Sequence, residues 1–430
     1  MKMKLEVEFI SQELIKPFSP TPDHLRQLRL SFLDQLQPPV CMPIVLFYSK
    51  KSGSENYERC NELKKSLSKA LAMFYPLAGR INNDTFIDCN DEGALFVEAK
   101  ANCQLSDILQ DYNPSDSNKL IPLPPHQCEN LTAFFQVTLF KCGGLCISFS
   151  LLHKLGDALS QFQFLNSWAA ITRGDYSEIA TSPIFGMATL FPPIKMQSRM
   201  DFEELGEDKI VTKRFVFDAS TIAALQAKYS NEIGYSPSRV VALAGFIWSR
   251  FIAAIQTNKT DRNHLYALSN VVNFRRRIEP PLSNMHFGNL FTTAWVKVNI
   301  NNRQQKSADA KYNYDANIVS QMSDAMRSVT PDAIFKLTQE VVKGEVIGFF
   351  FTSLCKMPIY EADFGWGKPV FVSSANLPLK NLVSFLDAKQ GGAIEAWINL
   401  NEENMAKFEI DKEFLAHLNS STQFNAKSRL

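Results

Sequence analysis

The 430-residue chain has almost no net charge, since 45 Lys and Arg face 44 Asp and Glu and leave a formal +1. Nothing global draws it to phosphate backbones or anionic lipid, so nucleic acid and membrane drop out as expected partners. Long apolar runs are missing too. The stretch near Val346–Phe351 is interrupted by Thr352 and Ser353, well short of the roughly 20 residues a bilayer span needs. Met1-Lys2-Met3-Lys4-Leu5-Glu6-Val7-Glu8 alternates charged and apolar residues, which reads as a strand instead of a signal core and makes the expected location cytoplasmic. No CxxC pair occurs among the eight cysteines, the pattern of buried reduced thiols, and no metal is expected. G-x-S-x-G is absent, which removes the serine-hydrolase elbow. The Gly365-Trp366-Gly367-Lys368-Pro369 stretch is no phosphate-binding loop, because its lysine is followed by proline where a Ser or Thr must sit.

Hydrophobic residues make up 45% of the chain, 33 of them Phe, and 21% of residues are charged. That suffices for a real core and argues against wholesale disorder. At about 150 residues per domain the length suggests two large domains or three small ones. Strand-like and helix-like patterns alternate. Ile44–Phe47 and Leu95–Val97 suit strands, while Leu63, Leu67, Leu71 and Phe74 fall on one helical face. The class is mixed α/β. Pro192-Pro193 and the polar stretch after it form the best linker, giving an expected first domain at 1–190, a crossover at 191–212 and a second domain at 213–430.

Six histidines can be weighed singly as neutral-pH bases. His24 and His417 sit on charged stretches, and His126 and His264 lie in loops. His286 beside Gly288 is a rival. His153 is placed differently: it ends an apolar strand, Leu145–Leu152, and precedes a helical pattern, Ala158–Thr172. Junctions of this kind face clefts in α/β folds, and Gly156 is expected to allow a sharp turn there. Asp157 falls at the helix start, where its carboxylate is stabilised by N–H groups or by an arginine.

The motifs His153-Lys154-Leu155-Gly156-Asp157 and Asp363-Phe364-Gly365-Trp366-Gly367 stand about 200 residues apart in one chain. Around them, in order, are Leu33-Asp34-Gln35, Phe74-Tyr75-Pro76-Leu77-Ala78-Gly79-Arg80, Asp88-Cys89-Asn90-Asp91, Asn273-Phe274-Arg275 and Phe287-Gly288-Asn289-Leu290. The set resembles the plant BAHD acyl-CoA-dependent acyltransferases over nearly the whole chain, with most similarity to the vinorine synthase-like alkaloid O-acetyltransferases. The resemblance implies two similar-sized, chloramphenicol acetyltransferase-like domains with mixed sheets, a crossover loop between them, and a channel where acyl-CoA and a small alcohol meet. It implies His153 as general base. Asp157 would be structural and paired with an arginine, Asp363 would salt-bridge an arginine of the Arg275-Arg276-Arg277 run with Arg275 preferred, and Gly365 and Gly367 would fix a turn. Ser373, Ser374 and Asn376 are oxyanion candidates by position, and Lys213 and Arg214 are candidate CoA contacts.

The expected activity is acyl transfer from acyl-CoA, acetyl-CoA foremost, to an alkaloid hydroxyl by a monomer without a permanent cofactor or an acyl-enzyme. Terpenoid, phenolic, sugar or amine acceptors are alternatives, as is a non-catalytic ligand-binding relative. The intact motifs count against that last reading.

Overall fold

The computed structural model describes residues 4–50, 56–83, 85–110, 112–128, 130–175, 182–193, 209–255, 265–299, 314–328, 346–389 and 391–418. Most of the expected crossover, 194–208, and His264 lie outside them. The described strands are β1 Val7–Ile15, β2 Gln27–Arg29, β3 Cys41–Tyr48, β4 Arg80–Asn82, β5 Phe86–Asp88, β6 Ala94–Ala101, β7 Ala133–Leu139, β8 Leu145–Leu152, β9 Ile210–Phe217, β10 Leu265–Asn273, β11 Phe291–Asn299, β12 Ile347–Ser353, β13 Phe371–Ser373, β14 Leu382–Asp387 and β15 Ile394–Asn401. The helices are α1 Phe32–Gln35, α2 Asn56–Met73, α3 Leu105–Gln110, α4 Ala158–Arg173, α5 Ala219–Ile233, α6 Arg239–Ile255, α7 Tyr314–Arg327, α8 Glu402–Phe408 and α9 Lys412–Ala416.

The chain divides into two units, and each is discontinuous in sequence. The first takes residues 1–200, 275–290 and 357–378, and the second takes 201–274, 291–356 and 379–430. The expected contiguous halves do not describe this packing. Asp363–Gly367 was assigned to the second domain but packs in the first, because β13 pairs antiparallel with β3 through Phe371↔Phe47, Val372↔Leu46 and Ser373↔Val45. A strand that joins a sheet belongs with that sheet, wherever the chain brings it from.

In the first unit a six-stranded mixed sheet runs β1-β6-β7-β8-β3-β13, with a small sheet β2-β5-β4 beside it. β8 lies between β7 and β3 and is buried along its full length, so its sequence Leu-Cys-Ile-Ser-Phe-Ser-Leu-Leu reads as near-continuous apolar instead of alternating. Leu63, Leu67, Leu71 and Phe74 are all fully buried, as a helical stripe facing the core requires. The Trp168 indole on α4 donates to Ser66 Oγ at 3.0 Å on α2, while its ring meets Phe135 of β7 edge-on at 5.3 Å. That satisfies the one polar atom of a large buried ring. Gly174 ends α4 in the left-handed region at φ 74°, the usual glycine stop.

The second unit holds the mixed sheet β11-β10-β12-β14-β15-β9. One face carries Tyr266, Leu268, Phe349, Phe351, Val383, Phe385 and Ile398 into a core with α5, α6, α7, α8 and α9. Phe414 is fully buried there, 4.2 Å from Phe408 and 4.9 Å from Phe215 between ring centroids. Among the described residues no helix is long and apolar enough to cross a membrane. All eight cysteines are unpaired, six of them buried.

Phe414→Ala should cost about 3–5 kcal/mol of stability, through lost burial and the cavity left among the surrounding rings. A urea midpoint within error of wild type would contradict this packing.

Candidate active site

The site grows from the end of β8. His153 N donates to Val40 O at 2.8 Å, which extends the β3 pairing one step beyond the strand and fixes where the imidazole leaves the backbone. Three residues later the chain must turn into α4. A Cβ on Gly156 would stand 2.9 Å from Ser160 Cβ and 3.1 Å from Phe287 Cε1. Its backbone is not among the positive-φ glycines, so the expected special turn is a close-approach requirement instead: only a hydrogen fits.

Asp157 then caps α4, its carboxylate accepting from Ser160 N and Ser160 Oγ, each at 2.9 Å. The same carboxylate is gripped by Arg275, with Nη1 to Oδ2 at 2.6 Å and Nη2 to Oδ1 at 3.0 Å, and it accepts from Leu290 N at 3.1 Å. Arg275 is fully buried, and its remaining donor capacity goes to carbonyls, Nη2 to His286 O at 3.0 Å and to Gly288 O at 3.3 Å. A buried guanidinium is tolerable only with this many partners.

Three consecutive amides of the 288–290 loop are held by three side chains: Gly288 N by Ser160 Oγ at 3.0 Å, Asn289 N by Asp34 Oδ1 at 3.0 Å, and Leu290 N by Asp157 Oδ2 at 3.1 Å. Asn289 Nδ2 donates to His153 O at 2.7 Å. Lys154 is buried and donates from Nζ to Gln35 O at 3.0 Å. His153, Asp157 and Arg275 are thus brought into one network, joined by Asp34, Ser160 and Asn289. Sequence reasoning gave those three no role, although Ser31-x-x-Asp34 carries the spacing of a capping box and forms one.

Burial, foremost, lowers the basicity of the His153 imidazole below the ordinary value of about 6.5, and the Lys154 charge adds to this. Its own backbone carbonyl, the Asp157 charge and the Asn289 side chain oppose the shift. The ring is neutral near pH 7, the form that accepts a proton. The rival His286 contributes its carbonyl to Arg275 while its ring meets Ser283 Oγ at 3.1 Å.

Other expectations need correction. Asp363 does not take Arg275, because Asp157 already holds both arms of that guanidinium. Its Oδ1 instead accepts from Gly365 N at 2.8 Å and Gly367 N at 2.9 Å, and both glycines sit at positive φ, +93° and +97°. The arginine that approaches is Arg173, bonded to the Asp363 carbonyl. The loop is locked from outside by Tyr48, whose hydroxyl donates to Ala362 O at 2.7 Å, and by Arg59, whose guanidinium lies 4.5 Å from the centre of the Trp366 ring.

Ser373 Oγ bonds Ser117 Oγ at 2.7 Å and also Tyr112, and Ser374 Oγ donates to Pro43 O at 2.9 Å. Those hydroxyls are engaged within the protein, not presented to an oxyanion. Asn376 N donates to Asn118 Oδ1 at 2.9 Å. Lys213 is ion-paired with Glu409, and Arg214 is bidentate with Glu395 at 2.7 and 2.6 Å. Among the described residues no group of three or more His, Cys, Asp or Glu is arranged to hold a metal.

The site thus sets a histidine at a strand end beside an aspartate held in a structural ion pair, in one of two sheet-bearing α/β units. The sequence model of the Transferase family matches residues 5–415. Stemmadenine O-acetyltransferase of Catharanthus roseus is 33% identical over 97% of this chain and 99% of its own length. Limonoid 1-O-acetyltransferase of Citrus sinensis is likewise 33% identical, over 97% and 99%. The crystal structure of vinorine synthase superposes with a TM-score of 0.83 at 32% identity, covering 96% of this chain and 99% of that one. The chain belongs to the Transferase family, the BAHD acyl-CoA-dependent acyltransferases. It is an acyltransferase.

Arg275→Met should cost about 3–5 kcal/mol in denaturant unfolding, since it strands Asp157 as a buried charge; unchanged stability would show that the pair carries no such burden. As pH falls, protonation removes the base, so kcat/KM should decline with an acid-limb midpoint below about 6.5, and a midpoint above about 7 would contradict a lowered His153.

Proposed function

We propose that the protein transfers the acetyl group of acetyl-CoA to a hydroxyl of a plant alkaloid, with His153 as general base. His153 takes the hydroxyl proton as the oxygen attacks the thioester carbonyl. The tetrahedral adduct then collapses, expelling CoA thiolate, which takes up the proton from the imidazolium. Atoms balance without an acyl-enzyme, so no nucleophilic serine or cysteine is required. The observation that carries this reading is the placement of His153 at the end of β8, where burial lowers the basicity of its ring and the Asp157 carboxylate is committed to Arg275 and α4.

An aspartate free to face the ring would hold it protonated, and Asp157 is turned away by two arginine bonds and a helix cap. A terpenoid alcohol is the second reading, because the limonoid enzyme matches as closely as the stemmadenine enzyme does. The same proposal has the enzyme acting as a cytoplasmic monomer with no permanent cofactor.

Two measurements test it. His153→Ala should lower turnover by about 10²-fold or more, the usual scale for a general base, and near-wild-type turnover would end the mechanism. Free-thiol release from acetyl-CoA, followed with a panel of alkaloid, terpenoid, phenolic and sugar alcohols, should depend on an alkaloid acceptor; release driven equally by every alcohol or by none would count against it.

A further inference from the structure

Asp34 is almost completely buried, and nothing in the mechanism above uses it. It belongs to α1, a four-residue helix, and Asp34 stands 255 residues before Asn289 of the 288–290 loop. Its carboxylate accepts four hydrogen bonds: Ser31 N at 2.9 Å and Ser31 Oγ at 2.6 Å on Oδ2, and Asn289 N at 3.0 Å and Asn289 Nδ2 at 2.9 Å on Oδ1. Burial is the largest influence and leaves its proton affinity above the ordinary carboxylate value, although all four donors act the other way. A carboxylate surrounded only by N–H and O–H donors is used as an acceptor at every lone pair that matters, which is the ionised form.

The consequence lies one bond further on. Asn289 Nδ2 has two hydrogens; one goes to Asp34 and the other to His153 O at 2.7 Å. Turning the amide over would set its oxygen against a carboxylate and a carbonyl, so the orientation is fixed. Asn289 Oδ1 is therefore directed elsewhere, and it is buried with no donor at ordinary hydrogen-bond length. The Asn289 side chain is also one of the groups that stabilise the protonated His153 ring. On the other flank of the same α1 segment, Gln35 O receives Lys154 Nζ. Both His153 and its neighbour are thus tethered to residues 31–35.

The geometry points to Asp34 as a positioning residue for His153, acting through Asn289. This rests on His153 being the general base. Asp34 sets the Asn289 amide and the amide holds the His153 carbonyl, which together with the Val40 bond fixes where the imidazole leaves the backbone. Misplacing a reacting group by about 1 Å can cost on the order of 10²-fold, so the effect belongs in kcat.

The test uses the full-length enzyme with acetyl-CoA and the alcohol that gives the fastest thiol release. Asp34→Asn should lower kcat by about tenfold or more with the KM for acetyl-CoA within about twofold. In an Asn289→Ala background the same change should add less than about twofold, because the two act in series. Independently, 15N-histidine spectra of the resting enzyme, with His153 assigned by its loss in His153→Ala, should show the His153 signal shifted or broadened in Asp34→Asn. Wild-type kcat in Asp34→Asn, or multiplicative losses in the double variant, would overturn the role. If Asp34→Asn does not fold, Asn289→Ala decides alone: unchanged kcat and an unchanged His153 signal would overturn it. Activity surviving in His153→Ala would instead fell the general-base reading.

Discussion

Arg275 carries a full charge into a place where solvent does not reach, and the site is organised around making that tolerable. A guanidinium has five N–H donors in a fixed fork, and leaving them unmet in a protein interior costs several kcal/mol. Here the fork closes on Asp157 and the leftover donors fall on the carbonyls of residues 286 and 288. Asp157 in turn spends its other lone pairs on the first turn of α4 and on Leu290 N. One ion pair therefore fixes a helix start, a loop from elsewhere in the chain, and the angle between them. His153 stands four residues before that helix start, so its backbone inherits the same registration.

Catalytic character follows from what this pairing withholds. A histidine backed by a free carboxylate becomes a stronger base but is partly occupied by a proton near neutrality. With the neighbouring aspartate consumed, desolvation controls the ring and favours the neutral form. In the proposed reaction a weaker base suffices because the leaving group is a thiolate, which departs without full protonation. Local charge is nearly balanced as well: Asp34 and Asp157 are matched by Lys154 and Arg275, all buried. That agrees with a chain whose total charge is close to zero.

The strand β8, the helices α2 and α4, and the place of His153 at the junction of β8 and α4 were readable from periodicity and from the break between strand and helix patterns, because those signals are local. What was not readable is what depends on distant pairing. Arg275 could be singled out, but its partner could not, since Asp157 and Asp363 are both acidic residues in motifs and only the fold decides which is near. Asp363 can satisfy itself through two glycine amides within four residues, a local solution, and so does not need an arginine side chain. Ser373, Ser374, Lys213 and Arg214 looked available because a sequence shows donors and charges without showing what already occupies them. Asp34 and Asn289 lie 255 residues apart and meet through two hydrogen bonds, a relation with no counterpart in composition or spacing.

The placement of β13 also bears on how the chain is made. The sheet that ends in His153 acquires its sixth strand from residues 371–373, and the anchoring loop arrives with residues 275–290. A ribosome delivers the first 200 residues long before either. During that interval β3 lacks its β13 partner and Asp157 lacks Arg275, so the first unit cannot be completed until most of the second unit has also emerged. Protein synthesis thus imposes an order on this molecule: His153 emerges well before the segments that hold its surroundings, residues 275–290 and 371–373.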